Sequence, residues 1–143
     1  MYLLPKTIRT RIGCILLLCL LGACSSISPF NQHAYIQTTS LKVDVLNLMS
    51  MAGDNYAKHH LEIQEVTTNL DKLYEYERNR PKNTVTIAMW HKLRDTSGGL
   101  WGGFMTLWER KGSLKPDAIQ EARIAVGDAF DKIARLESKK RNR

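Results

Sequence analysis

From Leu41 to Leu73 the apolar residues advance in steps of three or four. Leu41, Val45, Leu48, Ala52, Tyr56, Ile63, Val66, Leu70 and Leu73 follow one another in this way, with one gap after Tyr56 that His59 and His60 fill. Such steps put the residues on one stripe of an α-helix, and that stripe has to find an apolar partner. The run predicts a helix from about Gln32 to Arg78, bent at Gly53-Asp54, or two helices joined there. Glycine inside a helix costs about 1 kcal/mol relative to alanine. Pro81 closes the run, because the residue before a proline avoids helical torsions. Unbroken, the helix would measure about 70 Å, more than a compact body of this chain can accommodate. It must kink onto its neighbours, project as a stalk, or pair with a second copy as a homo-oligomer. His59 in the seam and Asn47 beside it favour the kinked helix over a coiled coil.

Three shorter helices are expected beyond Pro81. Asn83 or Thr84 can cap one that runs to about Arg94, with Val85, Ala88, Met89 and Leu93 apolar. Asp95 to Gly99, "DTSGG", reads as a turn. Ser97 can cap the next helix, which carries Leu100, Trp101, Phe104, Met105, Leu107 and Trp108 and stops at Gly112. Ser113 opens the last, with Pro116 tolerated in its first turn and Asp117 and Glu121 near its positive end. There Ile119, Ala122, Val126, Phe130, Ile133 and Leu136 form a clean amphipathic stripe. No useful stretch alternates with the period of a strand. The expected class is all-α, one long amphipathic helix packed with about three shorter ones.

The first thirty residues specify a location. Lys6, Arg9 and Arg11 form a cationic start, and Ile12 to Ala23 is almost wholly apolar. A dozen apolar residues suit a secretory leader and fall short of the ~20 needed to span a bilayer. At Leu21-Gly22-Ala23-Cys24 this segment resembles the lipobox of bacterial lipoprotein precursors. The resemblance covers only the processing region. It implies cleavage between Ala23 and Cys24, a diacylglycerol on the Cys24 sulfur, and acylation of the freed amine. Ser25 stands where an aspartate would favour the inner membrane, which implies the outer membrane, facing the periplasm, of a two-membrane bacterium. Each buried methylene contributes about 0.8 kcal/mol, so two or three chains on one residue hold it permanently. Cys14 and Cys19 leave with the leader, so no cysteine pair remains for a disulfide. The expected organisation is a removed leader at 1–23, a lipidated cysteine and short tether at 24–30, one all-α domain at 31–138, and a basic tail at 139–143.

The precursor carries a net charge of +7. Lys6, Arg9 and Arg11 account for part of it, and Lys139, Lys140, Arg141 and Arg143 for the rest, so the body of the mature chain is close to neutral. The tail is expected to be a frayed, solvated terminus, or else a contact with anionic head groups, where each Lys or Arg contributes about 1 kcal/mol. The expected compartment argues against nucleic acid.

Among local motifs, Gly98 to Trp108, "GGLWGGFMTLW", is the least ordinary. A P-loop needs Lys-Ser/Thr after its last glycine, and Phe104-Met105 follow Gly103 instead. Trp101, Phe104 and Trp108 either fill the core, with Gly102 and Gly103 allowing close approach, or form an interaction surface or an interfacial helix lying on a leaflet. Core packing is the preferred reading, since large aromatics bury the most area. His59 and His60 lack ligand partners at helical zinc spacing, and His91 and Asp95 have that spacing without a defined third ligand. Lys58/Glu62, Asp128/Lys132 and Asp131/Arg135 have the spacing of surface ion pairs. No catalytic, cofactor or metal motif emerges. The function expected is protein interaction or envelope assembly. A cell-wall or lipid hydrolase using some of His59, His60, His91, Glu62 and Glu65 is the alternative from another class, and a membrane-perturbing lipoprotein whose Trp101–Trp108 segment inserts is a second alternative.

Overall fold

The computed structural model describes residues 27–142. The leader, Ala23, Cys24 and the terminal Arg143 lie outside the described residues. Five α-helices follow in order: α1 (Gln32–Ser50), α2 (His60–Arg78), α3 (Thr84–Arg94), α4 (Trp101–Lys111) and α5 (Pro116–Lys139). Short 3-10 turns occupy Met51–Gly53, Tyr56–His59 and Lys140–Asn142. The fold is all-α, as the periodicity indicated.

The long periodic run is divided between α1 and α2, which lie antiparallel. The His33 and Tyr76 rings, from opposite ends of the run, meet edge to face at 4.9 Å. Reversal lets the two halves of one stripe bury each other. The break is stabilised from outside it. Tyr56 N–H donates to Gly112 O at 2.7 Å, Leu114 N–H to Ala52 O at 2.8 Å, and the Trp108 indole N–H to Asp54 O at 3.0 Å. The loop between α4 and α5 thereby satisfies backbone groups that an interrupted helix leaves without partners. Asn55 adds a local cap, accepting from Ala57 N–H at 3.0 Å.

α1, α2, α3 and α5 form a ring of antiparallel neighbours, and α4 packs on α3, α5 and the Tyr56–His59 turn. Leu41, Val45, Leu48, Ile63, Val66, Leu70 and Leu73 join one core with Trp90, Phe130 and Ile133. Lys42 Nζ reaches Asp131 at 2.6 Å and ties α1 to α5. Asp131 thus leaves the Arg135 partner expected from spacing. In α3 the buried face is Thr86, Trp90 and Leu93, while Val85 is 54% exposed. Of the apolar residues of this helix, Val85, Ala88 and Met89 therefore lie off the buried face, where the Trp90 ring takes the central position against Phe130. Ser97 does not cap α4. It bonds back to Asp95 in a side-chain turn, and Leu100 occupies the cap position.

Among the described residues, the core and the polar contacts described next lie between Ser28 and Arg141.

Candidate functional site: a buried polar clasp

The sequence-nominated aromatic surface is in the interior. Trp101, Phe104 and Trp108 are at most 5% exposed. Trp108 lies edge-on to Tyr56, with ring centroids 5.3 Å apart. Neither an exposed interaction surface nor a leaflet-lying helix is formed by these three residues, because their rings fill the junction of α4 with the α1–α2 break. Gly102 and Gly103 explain the unusual composition. A Cβ on Gly102 would stand 2.2 Å from Arg94 O, and one on Gly103 1.6 Å from Gly98 O. The start of α4 presses directly on the backbone that precedes it.

The histidines and carboxylates proposed for a hydrolase are distributed over separate surroundings. His59 packs on Trp108, His91 Nε2 pairs with the Tyr74 hydroxyl at 2.8 Å, and Glu62 and Glu65 line a cleft with Asp44 and Asn47. Among the described residues, no group of three or more His, Cys, Asp or Glu side chains is placed to hold a metal ion.

The polar cluster that does form was not nominated by any motif. It lies where α1 and α3 begin and α2 and α5 end. Ser28, Glu77, Asn83, Thr86, Glu137 and Lys140 are all buried there. Arg80 Nη1 donates to Glu77 Oε2 at 2.8 Å and to Glu137 Oε2 at 3.1 Å, while Nη2 donates to Glu137 Oε1 at 2.9 Å and to Pro29 O at 2.7 Å. Lys140 Nζ donates to Glu137, to Ser28 Oγ at 2.8 Å, to Asn83 Oδ1 at 3.0 Å and to Thr86 Oγ1 at 3.3 Å. The charges balance, two cations against two carboxylates. Buried ions are tolerated only when paired and hydrogen-bonded, and these are.

Local sequence makes this possible. Lys82 adopts a left-handed φ of 58°, which turns its carbonyl toward Ser28 N–H at 2.9 Å. Asn83 sits at the cap position of α3 yet caps nothing. Its side chain accepts from Ser28 Oγ at 2.8 Å and from Lys140, and donates to Glu77 O at 2.9 Å. Asn31 caps α1 through Ala34 N–H at 2.8 Å, and its own N–H donates to Glu137 Oε1 at 2.7 Å.

Two boundaries are corrected as a result. The tether expected at 24–30 loses Ser28 and the residues after it to the fold, because the serine is pinned by Lys82, Asn83 and Lys140. The basic tail at 139–143 is not uniformly solvated. Lys139 is exposed, Lys140 is buried in the clasp, and Arg141 lies over the Phe30 ring at 4.9 Å.

Burial alone would push the Glu137 carboxyl up. The hydrogen bonds from Arg80, Lys140 and the Asn31 amide, with the nearby Lys140 charge, outweigh it and hold Glu137 below the usual carboxylate range. A carboxyl depressed by folding contributes stability that is present above its unfolded pKa and lost as pH falls through the folded value. The urea midpoint is therefore expected to hold steady from pH 7 to about 5 and to fall below about 4.3. In Glu137→Gln that acid limb should be shallower. Equal slopes in the two proteins would show that Glu137 does not carry it.

Comparisons with protein-family models, with known proteins and with solved structures found no match to this chain.

Proposed function

We propose that this chain is a lipid-anchored helical module of the outer membrane, facing the periplasm, that acts by binding a protein partner in the envelope. The reading of the leader rests on Leu21-Gly22-Ala23-Cys24 and the apolar run before it. The observation that carries the rest is the position of Ser28. With Ser28 held in the clasp, only Ser25, Ser26 and Ile27 separate Cys24 from the body. At about 3.5 Å per residue, an extended stub spans at most ~14 Å. Such a domain stays beside its bilayer and meets partners at that surface.

The partner face best supported is the outward side of α1. Ile36 and Val43 are 49% and 56% exposed, and Ser40, Asn47 and Ser50 share that side. None of these five residues is charged, although exposed Asp44 borders them, and low charge suits a face that is covered in an assembly.

In the native host, labelled palmitate should enter the wild-type protein. Cys24→Ala should take up none and accumulate at precursor size. Identical processing of both proteins would dismiss the anchor. A photo-crosslinking residue at Val43 should join an envelope protein, whereas one at Lys132 should not. If neither site yields an adduct and the protein behaves as a monomer, the interaction role fails.

A further inference from the structure

The clasped end of the domain is also its basic end. Three segments meet there. Residues 27–33 hold no acid, residues 78–88 contribute Arg78, Arg80 and Lys82, and residues 132–142 end in Lys139, Lys140 and Arg141. Glu77 and Glu137 are buried and neutralised by Arg80 and Lys140. The exposed charges nearest the clasp are Arg78, Lys82, Lys139 and Arg141, with Lys132 and Arg135 further along α5, against Glu75, which pairs with Arg78 at 3.2 Å. The opposite end, around the α1–α2 break, is mixed, with Asp54, Lys58, Glu109, Arg110, Lys111, Lys115 and Asp117.

Two further features lie among these bases. An open cleft of about 410 Å³ is lined by Arg78, Arg80, Lys82, Thr84, Ile87 and His91. Ile87 and Ala88 give it an apolar wall. Val85, on the first turn of α3, is 54% exposed beside Lys82. Bases around an apolar contact are what the boundary between head groups and acyl chains accepts.

We propose that this end docks on the anionic phosphates of lipid head groups in the bilayer that carries the anchor, fixing the orientation of the domain. The inference rests on the anchored reading above for its geometry. A stub of at most ~14 Å keeps the basic end within one to two Debye lengths of the surface, where attraction is still felt. The domain then stands with α1 and α5 running up from the membrane and its outward α1 face turned sideways to partners.

The mature chain from Ser25 to Arg143 lacks the acylated cysteine and retains every core and clasp contact described, so it isolates the docking term. At low salt it should sediment with vesicles of equal parts phosphatidylcholine and phosphatidylglycerol, leave them at high salt, and ignore pure phosphatidylcholine. Lys82→Gln with Lys139→Gln, which change exposed side chains that make no clasp contact and leave the Lys82 carbonyl in place, should weaken binding roughly thirtyfold, about fivefold for each charge. Lys111→Gln with Lys115→Gln at the other end should change it less than about twofold. Equal binding to both vesicle types, or equal loss in the two double variants, would overturn the proposal. Free inorganic phosphate as an effective competitor would also overturn it, by assigning the cleft to a soluble anion. These outcomes are independent of palmitate uptake at Cys24: a lipidated protein whose basic end ignores phosphatidylglycerol refutes the docking alone.

Discussion

Lys140→Ala is expected to cost about 3–5 kcal/mol of folding stability, as removal of one partner from a buried ion cluster does. The ammonium is 5% exposed and supplies donors to Glu137, Ser28, Asn83 and Thr86. Without it, Glu77 and Glu137 face Arg80 alone, so a net negative charge stays buried. Ser28 Oγ and Thr86 Oγ1 lose their donor as well. Lys139→Ala is the control. That side chain is exposed, and surface changes of this kind stay within about 0.5 kcal/mol. Urea titration of the two variants measures the difference. If both fall close to wild type, the C-terminal residues are the solvated tail that their composition suggests, and the clasp does not form.

Gly103→Ala should lower stability by about 3 kcal/mol or more, at the upper end of overpacking effects. The new methyl would overlap the carbonyl oxygen of Gly98, a backbone atom that cannot rotate away as a side-chain end can. Relief requires the start of α4 to lift off, which withdraws Phe104 and Trp108 from the core. Gly99→Ala supplies the contrast, since nothing lies within 4 Å of its added carbon. It should be neutral, or slightly stabilising through reduced freedom of the unfolded chain. For a domain of this size each kcal/mol moves the melting temperature by about 4 °C. A drop of roughly 12 °C for Gly103→Ala against almost none for Gly99→Ala is the expected pattern. Equal melting temperatures would mean that the two glycine pairs serve only as flexible linkers.

The helices were legible because their burial is periodic. The bounds Thr84–Arg94 and the stop at Gly112 agree with the expected ones, and Pro116 lies in the first turn of α5 as its fixed φ allows, but Lys115 rather than Ser113 holds the cap position there. The stripe from Leu41 to Leu73 is buried along most of its length. Its division into two antiparallel helices was less legible. Gly53 marks a weak point, but the loop at Gly112 to Leu114 that completes the break is sixty residues further along. The inner face of α3 is set by distant partners for a related reason: Lys140, just beyond the end of α5, draws Thr86 inward, and Phe130 on α5 draws Trp90.

The clasp left the faintest trace in the sequence. Its members are Ser28, Glu77, Arg80, Asn83, Thr86, Glu137 and Lys140, polar residues that look like a tether, a loop, a helix cap and a tail. Two signals were available. Glu137 stands on the apolar side of α5, in phase with Phe130 and Ile133, Lys140 keeps that spacing one turn further on, and Glu77 continues the phase of Leu70 and Leu73. A charged residue continuing a buried stripe asks for a partner of opposite charge at the same depth. That question, put to Arg80 and Lys140, would have found it.

On the proposed anchored reading, how the domain would sit on a membrane turns on whether Ser28 belongs to the body or to the tether. Amide hydrogen exchange at Ser28 and Asn31 decides this most directly, since their N–H groups donate to Lys82 O and Glu137 Oε1. Protection approaching that of the α5 amides, lost together in Lys140→Ala, is the expected result. Exchange at the rate of an unstructured peptide would mean that the chain is loose until α1 begins. The domain would then hang on a longer flexible leash, and neither the clasp nor the orientation derived from it would stand.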